Sequence, residues 1–224
     1  MYIEVNNVKI HYEILGKGKP IILLNPNSTD TNSMRFIAHK LSKNYEVYLF
    51  DRRCCGKSSD DCDLSYEESA KDVYEFIKKM DLNKPYVLGC SGGASVALFL
   101  AITYPDCISK LVLCSGVARF SNIEIPSFYQ TIRKLSFIKS IRKAEKFYVL
   151  NEKTRELTTD DLSKIIVPTL VVNGGKRDIV PIEEAKYLSS NIKNSELIIL
   201  EKENHFSYMI NCKWYDRLKL FLDL

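Results

Sequence analysis

Histidine is scarce in this 224-residue chain, with three in all, so the search for an acid–base group is confined to His11, His39 and His205. Charge of one sign is nowhere massed. The 32 Lys and Arg residues are interspersed with 28 Asp and Glu, for a net charge of +4. That pattern lacks the one-sided basic stripe of a nucleic-acid binder, and no nucleic-acid partner is expected. No apolar run is long enough to span a membrane. The opening Met1-Tyr2-Ile3-Glu4-Val5 reads as a strand and lacks the apolar core of a signal peptide, so a cytoplasmic protein is expected. Internal repeats and low-complexity tracts are absent. The seven cysteines (Cys54, Cys55, Cys62, Cys90, Cys107, Cys114 and Cys212) are odd in number and argue against a disulfide framework. Cys54, Cys55 and Cys62 have no fourth ligand or histidine partner nearby in sequence, so neither metal nor cofactor is expected. They read as small buried thiols.

Against this background one segment stands out. Gly89-Cys90-Ser91-Gly92-Gly93 fits G-x-S-x-G, and its setting matters more than the match. A strand-like run, Pro85-Tyr86-Val87-Leu88, precedes it, and an apolar, Ala-rich helix from Ala94 to Tyr104 follows. A serine on a sharp strand-to-helix turn keeps its hydroxyl exposed, and the helix start behind it offers free N–H groups to a developing negative charge.

The rest of the chain alternates strands with helices. Residues 2–14 read as two short strands about Asn6-Asn7, and Ile21-Ile22-Leu23-Leu24 as a strand buried on both faces. Met34 to Leu41 has helical spacing with Phe36, Ile37 and Leu41 as its apolar positions, and Tyr45 to Phe50 is the next strand. Ser65 and Glu68 form an S-x-x-E pair that can cap a helix start reciprocally, and Val73, Phe76, Ile77 and Met80 continue that helix. Strands follow at 110–113, 168–172 and 197–200, with helices at 183–190 and 214–222. This order predicts an α/β protein with a mostly parallel sheet covered on both faces. One stretch breaks the alternation. Residues 119–163 carry Phe128, Ile132, Leu135, Ile138 and Ile141 at helical spacings, with Phe120, Tyr129, Phe137, Phe147 and Tyr148 adding aromatic surface. It is expected to form a short helical cap over the strand ends, dividing the chain into a core of 1–118 and 164–224 and a cap of 119–163.

A serine hydroxyl needs a base. His11 lies in a strand and His39 on a surface-like helix face, whereas His205 lies in a loop after a late strand, where α/β sites gather their catalytic groups. An imidazole in that role needs an acceptor to fix its tautomer, and Asp178, in the loop after another buried strand, is placed to supply it. The order Ser91, Asp178, His205 is the Ser…Asp…His order of one particular fold.

On these residues the chain resembles the α/β-hydrolase fold superfamily from end to end. Asp51-Arg52-Arg53-Cys54-Cys55-Gly56-Lys57-Ser58 resembles its D-x-R-G-x-G-x-S turn, Tyr104-Pro105 with Leu111-Val112-Leu113 its Y-P…L-V-L segment, and Val167 to Gly174 with Asp178 and Pro181 its P-T-L-V-V-x-G…D…P block. The resemblance implies Ser91 as nucleophile, Asp178 as acid and His205 as base. It also implies an oxyanion hole from the backbone N–H groups of Gly92 and Asn27, with Asn25-Pro26 where His-Gly is usual. Cys54 and Asn204 stand where that pattern has glycine. The function so implied is hydrolysis of an ester or related acyl bond of a small molecule, with Phe128, Tyr129 and Phe206 as expected substrate contacts. A rival reading is a ligand sensor of the same fold with little or no turnover.

Overall fold

The computed structural model of the chain describes residues 1–123, 139–175, 178–205, 207, 210 and 214–223. Among them, β1 (Tyr2–Val5), β2 (Val8–Leu15), β3 (Lys19–Leu24), β4 (Tyr45–Phe50), β5 (Tyr86–Cys90), β6 (Lys110–Cys114), β7 (Thr169–Gly174) and β8 (Ser195–Leu200) form one sheet. The order across the sheet is β1-β2-β4-β3-β5-β6-β7-β8. The β1–β2 and β2–β4 pairs are antiparallel, and every pairing from β4 to β8 is parallel.

The continuous apolar run in β3 has its reason here. Ile21 to Leu24 are all 0% exposed; Ile22 and Leu24 face one core while Ile21 and Leu23 face the other. Helices α1 (Arg35–Leu41) and α7 (Tyr215–Asp223) cover the second core through Ile37, Leu41, Leu218 and Phe221. Helices α2 (Tyr66–Lys79), α3 (Gly92–Thr103) and α6 (Ile182–Asn191) cover the first through Val73, Phe76, Leu98 and Leu188. Every residue of α3 from Gly92 to Ala101 is buried, as a helix apolar all round must be.

Two local expectations need correction. Phe36 is 46% exposed, because the buried arc runs from the N-cap Met34 through Ile37, Ala38 and Leu41, and Phe36 lies about 150° of helix rotation from its centre. The Ser65 hydroxyl does cap α2 by accepting from the Glu68 N–H at 3.0 Å, but the Glu68 carboxylate accepts instead from Asn6 Nδ2 at 2.8 Å.

The insertion begins on the core. A 3₁₀ turn (Phe120–Asn122) leads into it, and α4 (Lys139–Lys153) and α5 (Thr159–Ser163) lead out. Phe120, Phe147, Leu150, Leu157 and Leu162 all join the core on the α3 side of the sheet. Leu157 N–H donates to Ala118 O at 2.8 Å, closing the base of the insertion. Residues 124–138, with Phe128 and Tyr129, lie outside the described residues, as does Phe206. Among the described residues no helix is long and apolar enough to cross a membrane.

Candidate active site

Four neighbouring strands deliver the site. Their carboxyl ends lie side by side in the order β5, β6, β7, β8, and each is followed by one polar residue that matters: Ser91 after β5, Ser115 after β6, Asp178 in the loop after β7, and His205 after β8. The ladder itself sets the register. Ser91 N–H donates to Cys114 O at 2.8 Å, and Ser115 N–H to Val172 O at 2.8 Å. Both serines leave their strands with positive φ, 53° at Ser91 and 48° at Ser115, a sparsely populated conformation that the surrounding structure must hold.

At Ser91 the hold comes from close backbone packing. A Cβ on Gly93 would stand 2.2 Å from Leu24 O, and one on Gly89 would stand 2.3 Å from Gly93 O. Strand β3, strand β5 and the start of α3 therefore meet backbone to backbone, which only glycine permits. Ser91 itself is partly exposed at the end of a wholly buried strand.

The side chains meet in line. His205 Nε2 is 3.1 Å from Ser91 Oγ, and His205 Nδ1 is 2.5 Å from Asp178 Oδ1. The Asp178 and His205 side chains are 2% and 4% exposed. Asp178 is fixed further by Val180 N–H to Oδ1 at 3.0 Å, and by Gly174 N–H at 3.1 Å and the Ser115 hydroxyl at 2.9 Å to Oδ2. A carboxylate with both oxygens occupied in this way cannot turn away from the imidazole.

The loop after β3 completes the setting. Asn25 Nδ2 donates to Thr29 O at 2.9 Å, bending Asn25 to Thr29 back on itself. Among the described residues the backbone N–H of Asn27 has no acceptor, and neither has that of Gly92 at the N-terminus of α3. The other histidines lie elsewhere: His11 is 2.8 Å from Asp51 Oδ2 in a buried structural pair, and His39 is on an exposed face of α1. In the turn after β4, Cys54 has φ 60°, the left-handed conformation that explains why the resembling pattern has glycine there. Its thiol faces that of Cys62 at 3.6 Å, and burial, then Cys62, pushes its pKa up to about 12.

Ser115 and Arg52 were not singled out by sequence reasoning. Ser115 carries a signal in hindsight, being the first residue past a buried parallel strand. Arg52 carries a weaker one, as an additional arginine in a turn pattern that asks for a single one at Arg53.

Comparison with known proteins agrees with this architecture. Residues 19–141 match the family described as alpha/beta hydrolase fold. The mouse (Mus musculus) protein serine hydrolase BPHL is 29% identical over 245 residues, spanning 96% of this chain and 83% of that protein. A Pseudomonas putida 2-hydroxy-6-oxononadienedioate/2-hydroxy-6-oxononatrienedioate hydrolase is 23% identical over 262 residues, spanning 96% and 91%. The enol-lactonase of Burkholderia xenovorans superimposes with a TM-score of 0.81 at 19% identity over 100% of both chains, a likeness of fold.

Proposed function

This chain belongs to the alpha/beta-hydrolase fold family, and on that premise we propose that it is a serine hydrolase that cleaves an ester or related acyl bond of a small molecule through an acyl-enzyme. The observation that carries the reading is the hydrogen-bonded line Ser91–His205–Asp178 at 3.1 and 2.5 Å. In this reading Ser91 Oγ attacks the carbonyl while His205 Nε2 takes its proton. Asp178 holds the imidazole by Nδ1 and stabilises the imidazolium that forms. The oxyanion accepts from the N–H groups of Gly92 and Asn27, whose lack of other acceptors among the described residues supports that role. The helix terminus at Gly92 adds its partial positive charge. His205 then protonates the leaving group, and water repeats the cycle on the acyl-enzyme. In the same proposal residues 119–163 form a cap over the site, and Phe128, Tyr129 and Phe206 contact the substrate.

The test is turnover of short-chain p-nitrophenyl esters beside Ser91→Ala. Sustained nitrophenol release is expected, falling by roughly 10⁴–10⁶ in the variant. A single stoichiometric burst with a lasting adduct on Ser91 would instead favour the sensor, and equal rates in both proteins would remove Ser91 from the chemistry.

A further inference from the structure

A run of side chains, buried at Arg52 and Tyr66 and half-buried at Asn27 and Asn151, ties the proposed oxyanion loop to the proposed cap. It begins at Arg52, 1% exposed, at the end of β4. Arg52 donates from its backbone N–H to Asn25 Oδ1 at 3.3 Å, from Nε to Asn25 O at 2.8 Å, and from Nη2 to Asn27 Oδ1 at 2.9 Å. Asn27 Nδ2 donates to Tyr66 Oη at 3.0 Å. The Tyr66 hydroxyl donates to Asn151 Oδ1 on α4 at 2.6 Å. Every donor therefore points from the guanidinium towards the cap.

Three features mark this as more than core polarity. Among the described residues Arg52 has no carboxylate within ion-pair distance, its buried Nη1 has no hydrogen-bond acceptor, and its guanidinium lies over the Phe147 ring of α4 at 5.9 Å. A buried cation without a counter-charge is costly, and the neutral groups that accept from it are polarised in one direction. The Tyr66 ring is stacked between Phe99 of α3 and Phe120 at the base of the insertion, with centroids 6.1 and 5.3 Å away, so its hydroxyl cannot swing aside. Burial also pushes the Tyr66 pKa up, against Asn27, Arg52 and Ser95, which keeps the phenol a donor. Finally, the Asn27 amide occupies the space that a side chain on Gly92 would fill, so the loop and the residue after Ser91 are in direct register.

We propose that Tyr66 is a positioning residue that locks the oxyanion loop to the seated cap, with Asn151 as the cap's reporter group. The inference rests on the acyl-transfer reading above. With α4 seated, Tyr66 holds Asn27 and, through it, the alignment of the Asn27 N–H with that of Gly92. With the Asn151 acceptor withdrawn, the stacked Tyr66 stays in place, but its hydroxyl loses the acceptor that polarises it and its hold on Asn27 Nδ2 weakens. Cap seating is thereby converted into oxyanion-hole geometry.

The experiment is steady-state hydrolysis of p-nitrophenyl butyrate by wild type, Tyr66→Phe, Asn151→Ala, Asn151→Asp and the Tyr66→Phe/Asn151→Ala double variant, with melting curves for each. Half-buried Asn151 gives a variant that does not depend on tolerance at the fully buried Tyr66. Tyr66→Phe and Asn151→Ala should each lower kcat by about 10-fold with KM within about twofold, less than the ~10²–10³ of losing a donor outright. The double variant should be no worse than either single, because both break one relay. Asn151→Asp keeps an acceptor and should retain wild-type kcat. Wild-type kcat in folded Asn151→Ala, losses that multiply in the double variant, or equal losses in Asn151→Ala and Asn151→Asp would each overturn the proposal. A wild-type protein inert to the ester would overturn the hydrolase reading, and this relay with it.

Discussion

A Cβ added at Gly92 would stand 1.9 Å from Asn27 Oδ1, whereas at Gly89 and Gly93 it would meet backbone. The distinction matters because the Asn27 amide is a movable obstacle, but one held at both ends by Arg52 and Tyr66. Alanine at position 92 is a good helix former at the first turn of α3, so in Gly92→Ala the fold should survive while the proposed oxyanion loop is pushed off register. Turnover should fall by roughly 10²–10³ with an unchanged far-UV spectrum; a variant with wild-type turnover would show that the Asn27 side chain moves freely. Ser91, Asp178 and His205 were legible in the sequence because the chemistry demands particular side chains and the chain offers only three histidines. Asn27 was legible only through the resemblance. Tyr66, Asn151 and Ser115 are ordinary polar residues whose roles come from partners 39, 85 and 63 positions away, which no local pattern encodes.

Among the elements, α5 is short enough to depend on its cap. Thr158 Oγ1 accepts from the Asp161 N–H at 3.2 Å and Asp161 Oδ2 accepts from the Thr158 N–H at 3.0 Å. Arg155 Nη1 donates to the same carboxylate oxygen at 2.7 Å. Arg155, followed by the Thr158 bonds, holds the Asp161 carboxyl well below the usual carboxylate range, against the effect of burial. A depressed folded-state pKa contributes stability above the unfolded value, about 3.9, and that contribution is lost as pH falls through the folded value. Arg155 is half exposed, so the whole effect is about 1 kcal/mol. Wild type should melt above Asp161→Asn near neutral pH, and the gap should begin to narrow below about pH 4 and go on narrowing as the pH falls further. A gap independent of pH would mean that the carboxylate charge plays no part. Element positions were readable from periodicity because buried strands and one-sided helices impose it. Phe36 was misread because a single apolar residue cannot reveal which arc of α1 is buried; the set Met34, Ile37, Ala38 and Leu41 does. Glu68 likewise fitted a capping pattern, yet Asn6 from the β1–β2 turn offered its carboxylate a donor that the local pattern does not contain.

Across the whole molecule, the parallel sheet is what converts a scattered sequence into a site. The alternation of strands and helices predicts a parallel sheet but not the order in which β3 lies between β4 and β5. That order brings the loop after β3 beside the turn after β5, and so Asn27 beside Gly92. Parallel neighbours β5 to β8 then place Ser91, Ser115, Asp178 and His205 at one edge although they span 91–205 in the chain. In the proposed reading this edge makes Ser91 a nucleophile activated by His205. The most direct measurement is labelling with a fluorophosphonate, followed by intact mass and peptide mapping, for wild type and His205→Ala. One adduct per chain is expected, mapped to Ser91 and formed far more slowly in the variant. Labelling at another residue, or equal labelling rates in the two proteins, would contradict that reading.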